Sequence, residues 1–260
     1  MLAMFCNRSM TEQWLIVRTP IRHASFTRGI HDPVTQCPLA GACAFFNPQH
    51  KEHRVTEFFK ALQTQRWDDH RYYHQSRINQ TLHFISALSF LAAYALLWTD
   101  PASAALLGWG VSMTTRQAGH FFFEPQGYDA VNQATNDHKE AIKVGYNLRR
   151  KVVLLTNWAA VPLLLWLAPS AGGLIEPAVG WTGYLHDVGM AWLALGVGGL
   201  LFRTLHLFWL KDVQTGLVWA TKILTAPFHD VLLYWRAPLY LLRGELIDPM
   251  PHVRHDSAQR

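Results

Sequence analysis

The chain has 260 residues, of which 50% are hydrophobic and only 16% are charged, whereas an average soluble domain is about 25% charged. The net charge is +5, but the basic residues form no clustered stripe, which argues against a nucleic-acid partner. Three cysteines without a Cys-x-x-Cys pair argue against a disulfide framework and a zinc finger. The composition favours an integral membrane protein. A soluble bundle of buried helices is the alternative.

Three regions are predicted along the chain. Residues 1–50 lack the apolar core of a signal peptide, and Ile21 to His50 are rich in Pro, Gly and polar residues. Residues 1–55 are therefore predicted to form a loosely ordered extension. Residues 56–246 are predicted to form a membrane-embedded catalytic domain, and residues 247–260 a polar tail. The domain opens with a predicted amphipathic helix, Thr56 to Arg77, in which Thr56 is the candidate N-cap.

Four apolar stretches predict four membrane-spanning helices, at residues 83–98, 102–123, 152–168 and 188–202. Each has about 15–22 residues, near the roughly 20 that a helix needs to cross a bilayer. Asp100 and Pro101 predict a turn or a helix start between the first two. Residues 207–242 mix apolar runs with charges and are predicted to lie at the interface or to pack on the bundle. We therefore expect an all-α polytopic membrane protein with cytosolic amphipathic helices.

The basic residues also predict an orientation. Lys and Arg flank the apolar stretches on one side, whereas the loops near Asp100 and at 169–187 contain neither. Since cytosolic loops carry the excess of Lys and Arg, both termini are predicted to be cytosolic. Arg outnumbers Lys and the chain ends without a retention signal, which favours a bacterial inner membrane over the endoplasmic reticulum.

Seven histidines fall on the predicted cytosolic side, namely His70, His74, His83, His120, His138, His206 and His229. Neutral imidazole is the commonest metal ligand, so this gathering predicts a metal site. His83 and His120 adjoin long apolar runs, where a polar group is costly and is often functional.

The spacing of the histidines predicts a broken helix. His74 and His83 are nine residues apart and would face opposite sides of one straight helix. They converge only if the helix breaks between them, near residues 75–78. Asn79 precedes His83 by four residues and Glu124 follows His120 by four, so each is placed to orient its histidine.

Two motifs carry a resemblance to a known family. The string Tyr73-His74-(four residues)-Asn79-(three residues)-His83 resembles the first motif of the membrane-bound 2-hydroxy fatty acid dioxygenases, and Gly119-His120-Phe121-Phe122-Phe123-Glu124 resembles the second, Gly-His-x-x-Phe-Glu. The resemblance covers residues 66–151. The chain departs from it at Pro125-Gln126-Gly127, which replaces a basic run, and in its long C-terminal part.

The resemblance implies a non-haem iron(II) dioxygenase of α-oxidation that acts in the bilayer. Its partners are dioxygen and a long-chain 2-hydroxy fatty acid, which it shortens by one carbon through oxidative decarboxylation. It implies His74, His83 and His120 as iron ligands. Three further histidines are second choices, namely His70, His138 and His229.

The substrate suggests one more kind of residue. A 2-hydroxy carboxylate can chelate iron(II) through two oxygens and leave a position for dioxygen. Because a guanidinium pairs well with a carboxylate, Arg71, Arg77 and Arg116 are candidates to bind it. Of these, Arg77 joins Asn79 and Glu124 in the predicted catalytic set.

Two other metalloprotein classes and a non-catalytic scaffold stay open. Di-iron membrane hydroxylases and desaturases resemble one another in boxes of the type His-x-x-His-His, but this chain has one His-x-x-x-His, at 70–74, and no His-His pair. A haem-binding electron carrier would use His83, His120 or His206 as axial ligands within a bundle. A membrane scaffold would bind no metal.

Overall fold

The computed structural model describes residues 48–125, 127–144, 148–173, 176–177 and 179–250, and these form helices joined by short loops with no β-strand among them. The helices are α1 (Pro48–Tyr73), α2 (Arg77–Leu96), α3 (Pro101–Leu107), α4 (Thr114–Phe122), α5 (Asn136–Ile142), α6 (Leu148–Leu167), α7 (Gly180–Leu210), α8 (Val213–Tyr234) and α9 (Ala237–Leu242). The predicted all-α class is confirmed. Most of the predicted N-terminal extension, residues 1–47, and the last ten residues of the predicted tail lie outside the described residues.

The predicted break separates α1 from α2. α1 ends at Tyr73 and α2 begins at Arg77. The last carbonyls of a helix have no hydrogen-bond donors within that helix. Here two side chains of α2 donate to carbonyls at the end of α1 and just after it. The Asn79 amide donates to the Tyr73 carbonyl at 2.8 Å, and the Gln80 amide donates to the His74 carbonyl at 2.7 Å. These bonds fix the path of the chain around His74.

The start of α1 differs from the prediction. The helix begins at Pro48 rather than at Thr56, which lies inside it. The Thr56 N-cap assignment is therefore wrong, because the residues before Thr56 are already helical.

The predicted second apolar stretch forms one nearly continuous helical run. The Asp100 carboxylate accepts a bond from the Ser103 N–H at 3.0 Å and caps α3, with Pro101 in its first turn. A π-helical segment, Gly108–Met113, then joins α3 to α4. Such segments are rare and are frequent at functional sites. This one directly precedes the helix that carries His120.

Helix α2 lies at the centre of the described bundle. α3, α4, α8 and α9 pack against it, while α7 packs against α3, α6 and α8. At Gly189 the backbone of α7 approaches α3 closely, since a Cβ there would lie 2.5 Å from the Ala102 carbonyl oxygen. The C-terminal helix α8 also contacts α1. It packs on the bundle, which is one of the two placements predicted for this region.

Helix α7 is the one described helix with the length and composition to cross a bilayer, at 31 residues. Only a minor share of its apolar window is buried, whereas the core helix of a soluble protein would be mostly buried. Large apolar side chains on α6 and α7 are exposed, among them Trp166, Leu167, Phe202 and Leu205. These features associate α7 with a membrane. The four-span topology and its orientation stay predictions.

The folded part continues past the predicted boundary at residue 246. Ile247 forms an isolated bridge with Ser76 at the break between α1 and α2. The Asp248 carboxylate lies 2.9 Å from the Arg77 guanidinium and accepts a bond from the Gln80 amide, also at 2.9 Å. Met250 is fully buried. The beginning of the predicted tail therefore packs beside the break.

Candidate metal centre

Three histidines from three parts of the fold meet beside the break. His74 lies in the break itself, His83 on α2 and His120 on α4. The ring centroids are 4.1 Å apart for His74 and His83, 5.3 Å for His74 and His120, and 4.9 Å for His83 and His120. One nitrogen from each ring lies within 4.8 Å of the other two. Nitrogens bound to one ion at about 2.0–2.1 Å are roughly 3–3.5 Å apart, so a small inward shift would complete a site.

The imidazole nitrogens facing this group lack protein partners. His83 is 0% exposed and His74 is also buried. Among the described residues, neither nitrogen of His83 nor the Nε2 of His74 has a hydrogen-bond partner. Burying an unpaired polar atom costs about 1–3 kcal/mol. Burial, with a smaller effect of His83, lowers the pKa of His74 well below its ordinary value, so the ring is neutral and offers a lone pair. The residues fit a metal ion.

A second group of side chains holds the three rings from behind. The His120 Nδ1 lies 2.8 Å from Glu124 Oε2, the His74 Nδ1 lies 3.0 Å from the Tyr234 hydroxyl, and the His83 Nδ1 lies 3.5 Å from Asp230 Oδ2. The last distance is long for a hydrogen bond. Metal-binding histidines usually donate their second ring N–H to such a partner, which fixes the tautomer and the orientation of the ring. In each ring the Nε2 is then left for a metal.

Tyr234 contacts two histidines at once. Its hydroxyl lies 3.1 Å from the His70 Nδ1 as well as 3.0 Å from the His74 Nδ1. Burial raises the pKa of Tyr234, so the hydroxyl keeps its proton. If the His74 N–H donates to the tyrosine oxygen, the tyrosine O–H is directed to His70. This order of donors keeps the His74 Nε2 lone pair free.

Asp230 is held as a carboxylate beside His83. Its Oδ2 lies 2.9 Å from the Arg116 guanidinium. Burial alone would raise the pKa of Asp230, but Arg116, with His229 and His83, holds it well below its usual range. On the other side, burial raises the pKa of Glu124, while Lys143 and Lys151 oppose that rise. The centre is thus bordered by two acidic groups.

The other predicted histidine ligands lie outside this group. His70 contacts Tyr234 behind His74, and the His229 Nδ1 lies 3.6 Å from Asp230 Oδ1. His138 is exposed in the first turn of α5, with its ring edge toward Tyr72. The structure thus brings His74, His83 and His120 together without these three. His206, the third haem candidate, lies 3.1 Å from the Arg203 guanidinium.

Asn79 and Arg77 contact the chain around the break rather than the rings. Asn79 donates to the Tyr73 carbonyl and not to His83. Arg77 pairs with Asp248 and stacks on the Tyr240 ring at 4.4 Å. Asn79 therefore acts on the position of His74 through the neighbouring backbone, whereas Arg77 holds the C-terminal segment beside the break. Glu124 contacts His120 directly, in the place predicted for it.

Gly119 lets α4 approach α2 beside the centre. A Cβ at this position would collide with Asn79 Oδ1 and would lie 3.5 Å from the His83 ring. Steric crowding thus explains the glycine of the Gly-His motif, because a side chain at this position would push His120 away from His83.

A cavity of about 430 Å³ opens from the histidine cluster into the bundle. His74, His120, Arg116, Lys143 and Lys151 line its polar part, and apolar side chains from α2, α3, α6, α7 and α8 line the rest. Its volume lies in the range of about 300–1,000 Å³ that is typical of small-molecule sites. A second cavity of about 30 Å³ lies behind His74, against Tyr234 and Asp230, and has room for one or two waters.

Three side chains of the centre were missed by sequence reasoning. Asp230 and Tyr234 lie on α8, far along the chain from both motifs, and only the cost of a carboxylate in an apolar helix pointed to Asp230. Lys151 directly precedes an apolar stretch, where a lysine is typical of an ordinary membrane anchor. Its place beside the cluster is visible only in the fold.

Comparison of the chain with protein-family models, with curated proteins and with solved structures finds no match. The features that indicate a function are therefore the geometry of this centre and the two motifs that form it.

Proposed function

We propose that this protein is a membrane-bound non-haem iron dioxygenase that shortens a long-chain 2-hydroxy fatty acid by one carbon. The observation that carries the proposal is the convergence of His74, His83 and His120, of which His74 and His120 line an otherwise largely apolar cavity. A metal at that place would meet the polar group of a ligand whose alkyl chain fills the rest of the cavity.

The ligand set suits the proposed chemistry. Iron(II) held by His74, His83 and His120 would supply the activation of dioxygen, and three protein ligands leave positions for the substrate. The reaction balances without an external reductant. One 2-hydroxy acid and one dioxygen give the acid one carbon shorter, carbon dioxide and water.

The side chains around the cluster have separate roles. Glu124 and Tyr234 contact His120 and His74 at hydrogen-bond distance and orient those rings. The Asp230 carboxylate lies 3.5 Å from the His83 Nδ1. Arg116, which pairs with Asp230, lies at the polar part of the cavity and completes a basic surface that suits a carboxylate. The apolar walls exclude water from the alkyl chain. Arg77, paired with Asp248, supports the break instead of meeting the substrate.

The proposal includes a membrane placement. α2, the run from α3 to α4, α6 and α7 are proposed to span the bilayer with both termini cytosolic, in a bacterial inner membrane. The exposed apolar faces of α6 and α7 support this placement. A bilayer would also deliver an acyl substrate to a cavity lined by these helices.

The alternatives have less support. A di-iron hydroxylase or desaturase needs more ligands than the three-histidine group found among the described residues. A haem placed between two axial histidines would separate their rings by more than the observed 4.1–5.3 Å between centroids. In the described part of the chain, His206 lies outside the group that a haem carrier would use.

The test combines metal content with product analysis. Purified protein is loaded with iron(II), its iron is measured, and it is incubated with 2-hydroxypalmitate with and without dioxygen. Mass spectrometry should detect the acid one carbon shorter only with dioxygen. Changes beyond the ligands themselves cost roughly 10–100-fold in affinity or activity, so His83→Ala should lose at least that much iron affinity. The control His186→Ala removes an exposed histidine away from the cluster and should bind iron normally.

Two results would contradict the proposal in different ways. Full iron content in folded His83→Ala, His74→Ala and His120→Ala proteins would remove the cluster as the metal site. Hydroxylation or desaturation of an unmodified acyl chain without carbon loss would replace the reaction with that of a di-iron enzyme.

A further inference from the structure

Lys151 differs from the other cations that line the large cavity. Each of the others has a carboxylate partner. Arg116 lies 2.9 Å from Asp230, Lys143 lies 2.9 Å from Glu140, and Lys222 lies 2.8 Å from Asp69. Within the described residues, the Lys151 ammonium has no hydrogen bond and no carboxylate within 4.0 Å. Glu124 and Glu140 act on it only from farther away.

An unpaired ammonium facing an apolar cavity is costly. Removing a charge from water without a partner carries a large free-energy penalty. Burial removes water from the Lys151 ammonium, and the nearby Lys143 adds a like charge beside it. The fold therefore keeps a cation ready for an anion that the protein itself does not provide.

The position of Lys151 specifies where that anion binds. Lys151 lies in the first turns of α6, at the same part of the cavity as His120 and Lys143. From there the apolar walls continue along Leu154 and Leu155, the next residues of the same helix toward the bundle. A ligand with an anionic head at Lys151 would place the carbon next to that head beside the histidines and its chain against α6.

We propose that Lys151 is the carboxylate-binding residue of this cavity and that it selects long-chain acids over uncharged acyl compounds. The inference rests on the proposed function for the identity of the acid, but it concerns binding alone and needs no metal. Because a hydrogen bond to a charged group contributes about 1.5–3 kcal/mol, loss of the ammonium should weaken acid binding by about 10–100-fold.

The experiment measures binding in the full-length protein with iron removed by a chelator. Palmitate and hexadecanol, which share an alkyl chain and differ in charge, each displace a fluorescent fatty acid from the protein in nanodiscs. Lys151→Met should lose about 10–100-fold in affinity for palmitate and keep its affinity for hexadecanol. Lys151→Arg should retain palmitate binding, and this variant also controls for folding. Lys211→Met removes an exposed lysine away from the cavity and should behave as the wild type.

The outcomes separate this inference from the proposed reaction. Equal losses for palmitate and hexadecanol would mean that Lys151 only supports packing, and unchanged binding of both would remove it from the site. If Lys222→Met rather than Lys151→Met loses the preference for palmitate over hexadecanol, then Lys222 and not Lys151 binds the carboxylate. Absence of palmitate binding in the wild type would also overturn the inference. If acids bind through Lys151 but no carbon is lost during turnover, the binding site stands and the proposed reaction fails.

Discussion

The break between α1 and α2 and the outer face of α6 and α7 distribute polarity in opposite ways. Beside the break, Asn79, Gln80 and His83 are each 0% exposed. On the outer face, Leu167 is 71% and Phe202 is 66% exposed. In a soluble protein both would be unfavourable, because polar groups lose water in one region and apolar groups meet it in the other. Both features agree with the proposed placement, in which lipid would contact the outer face and the histidine cluster would lie inside the bundle.

The two regions also differ in what stabilises them. Around the break, side-chain amides bond backbone carbonyls and helices approach through Gly119, so single atoms determine the geometry. On the outer face, apolar area contacts the surroundings and no single atom is decisive. Substitutions in the two regions should therefore fail in different assays.

The largest effect is expected from a charge on the outer face. Ala194→Arg places a guanidinium at an exposed position near the middle of α7. At the centre of a membrane helix this costs about 2.5–3.5 kcal/mol, so the variant should insert poorly, as measured by its carbonate-resistant membrane fraction. Thr182→Arg, exposed near the start of the same helix, lets the side chain reach the interface and should insert normally. Equal membrane insertion of Ala194→Arg and Thr182→Arg would contradict the proposed difference between the outer face and the break.

A steric change at the centre should come next. Gly119→Ala adds a methyl group that collides with Asn79, and overpacking of this kind costs about 1–3 kcal/mol. Because α4 must move, iron content should fall together with the thermal midpoint. Gly110→Ala is the matched control, since a Cβ there meets nothing within 4 Å. A Gly119→Ala protein with normal iron content would show that the close approach is not needed for the site.

The smallest effect is expected from the amide that supports the break. Asn79→Ala leaves the Tyr73 carbonyl without its partner, which costs about 1–2 kcal/mol. Iron affinity should fall more than stability does, because His74 immediately follows Tyr73. Thr81→Ala, which removes a bond within α2 to the Arg77 carbonyl, serves as the comparison and should change both by little. If iron affinity and stability fall by similar amounts in the two variants, Asn79 stabilises the fold without any special effect on the metal centre.

Local features of the site followed from spacing, whereas its distant partners did not. The nine-residue separation of His74 and His83 required a break, and the chain breaks at residues 74–76. The four-residue step from His120 to Glu124 predicted that Glu124 would meet His120. The two are in contact, although Glu124 lies just beyond the end of α4. By contrast, Asp230 and Tyr234 reach the cluster through the packing of α8 on α2, which periodicity cannot specify. The position of Lys151 beside the cluster was not predicted, because a lysine just before an apolar stretch is typical of an ordinary membrane anchor.

Fold-level prediction had a similar limit. Apolar runs located α2, α6 and α7, because length and composition alone determine such helices. They did not reveal that Ile247 and Asp248 return to the break, since that contact depends on tertiary structure.

The placement of Asp230 and Tyr234 on α8 has a consequence for biosynthesis. A chain is made from its N-terminus and its helices emerge in order. All three histidines of the cluster leave the ribosome well before α8, so they exist for a time without two of the side chains that orient them. The centre can mature only when the last long helix docks. A nascent chain thus carries the two histidine motifs early but gains the complete surroundings of the cluster late. Under the proposed function, metal loading would therefore follow completion of synthesis.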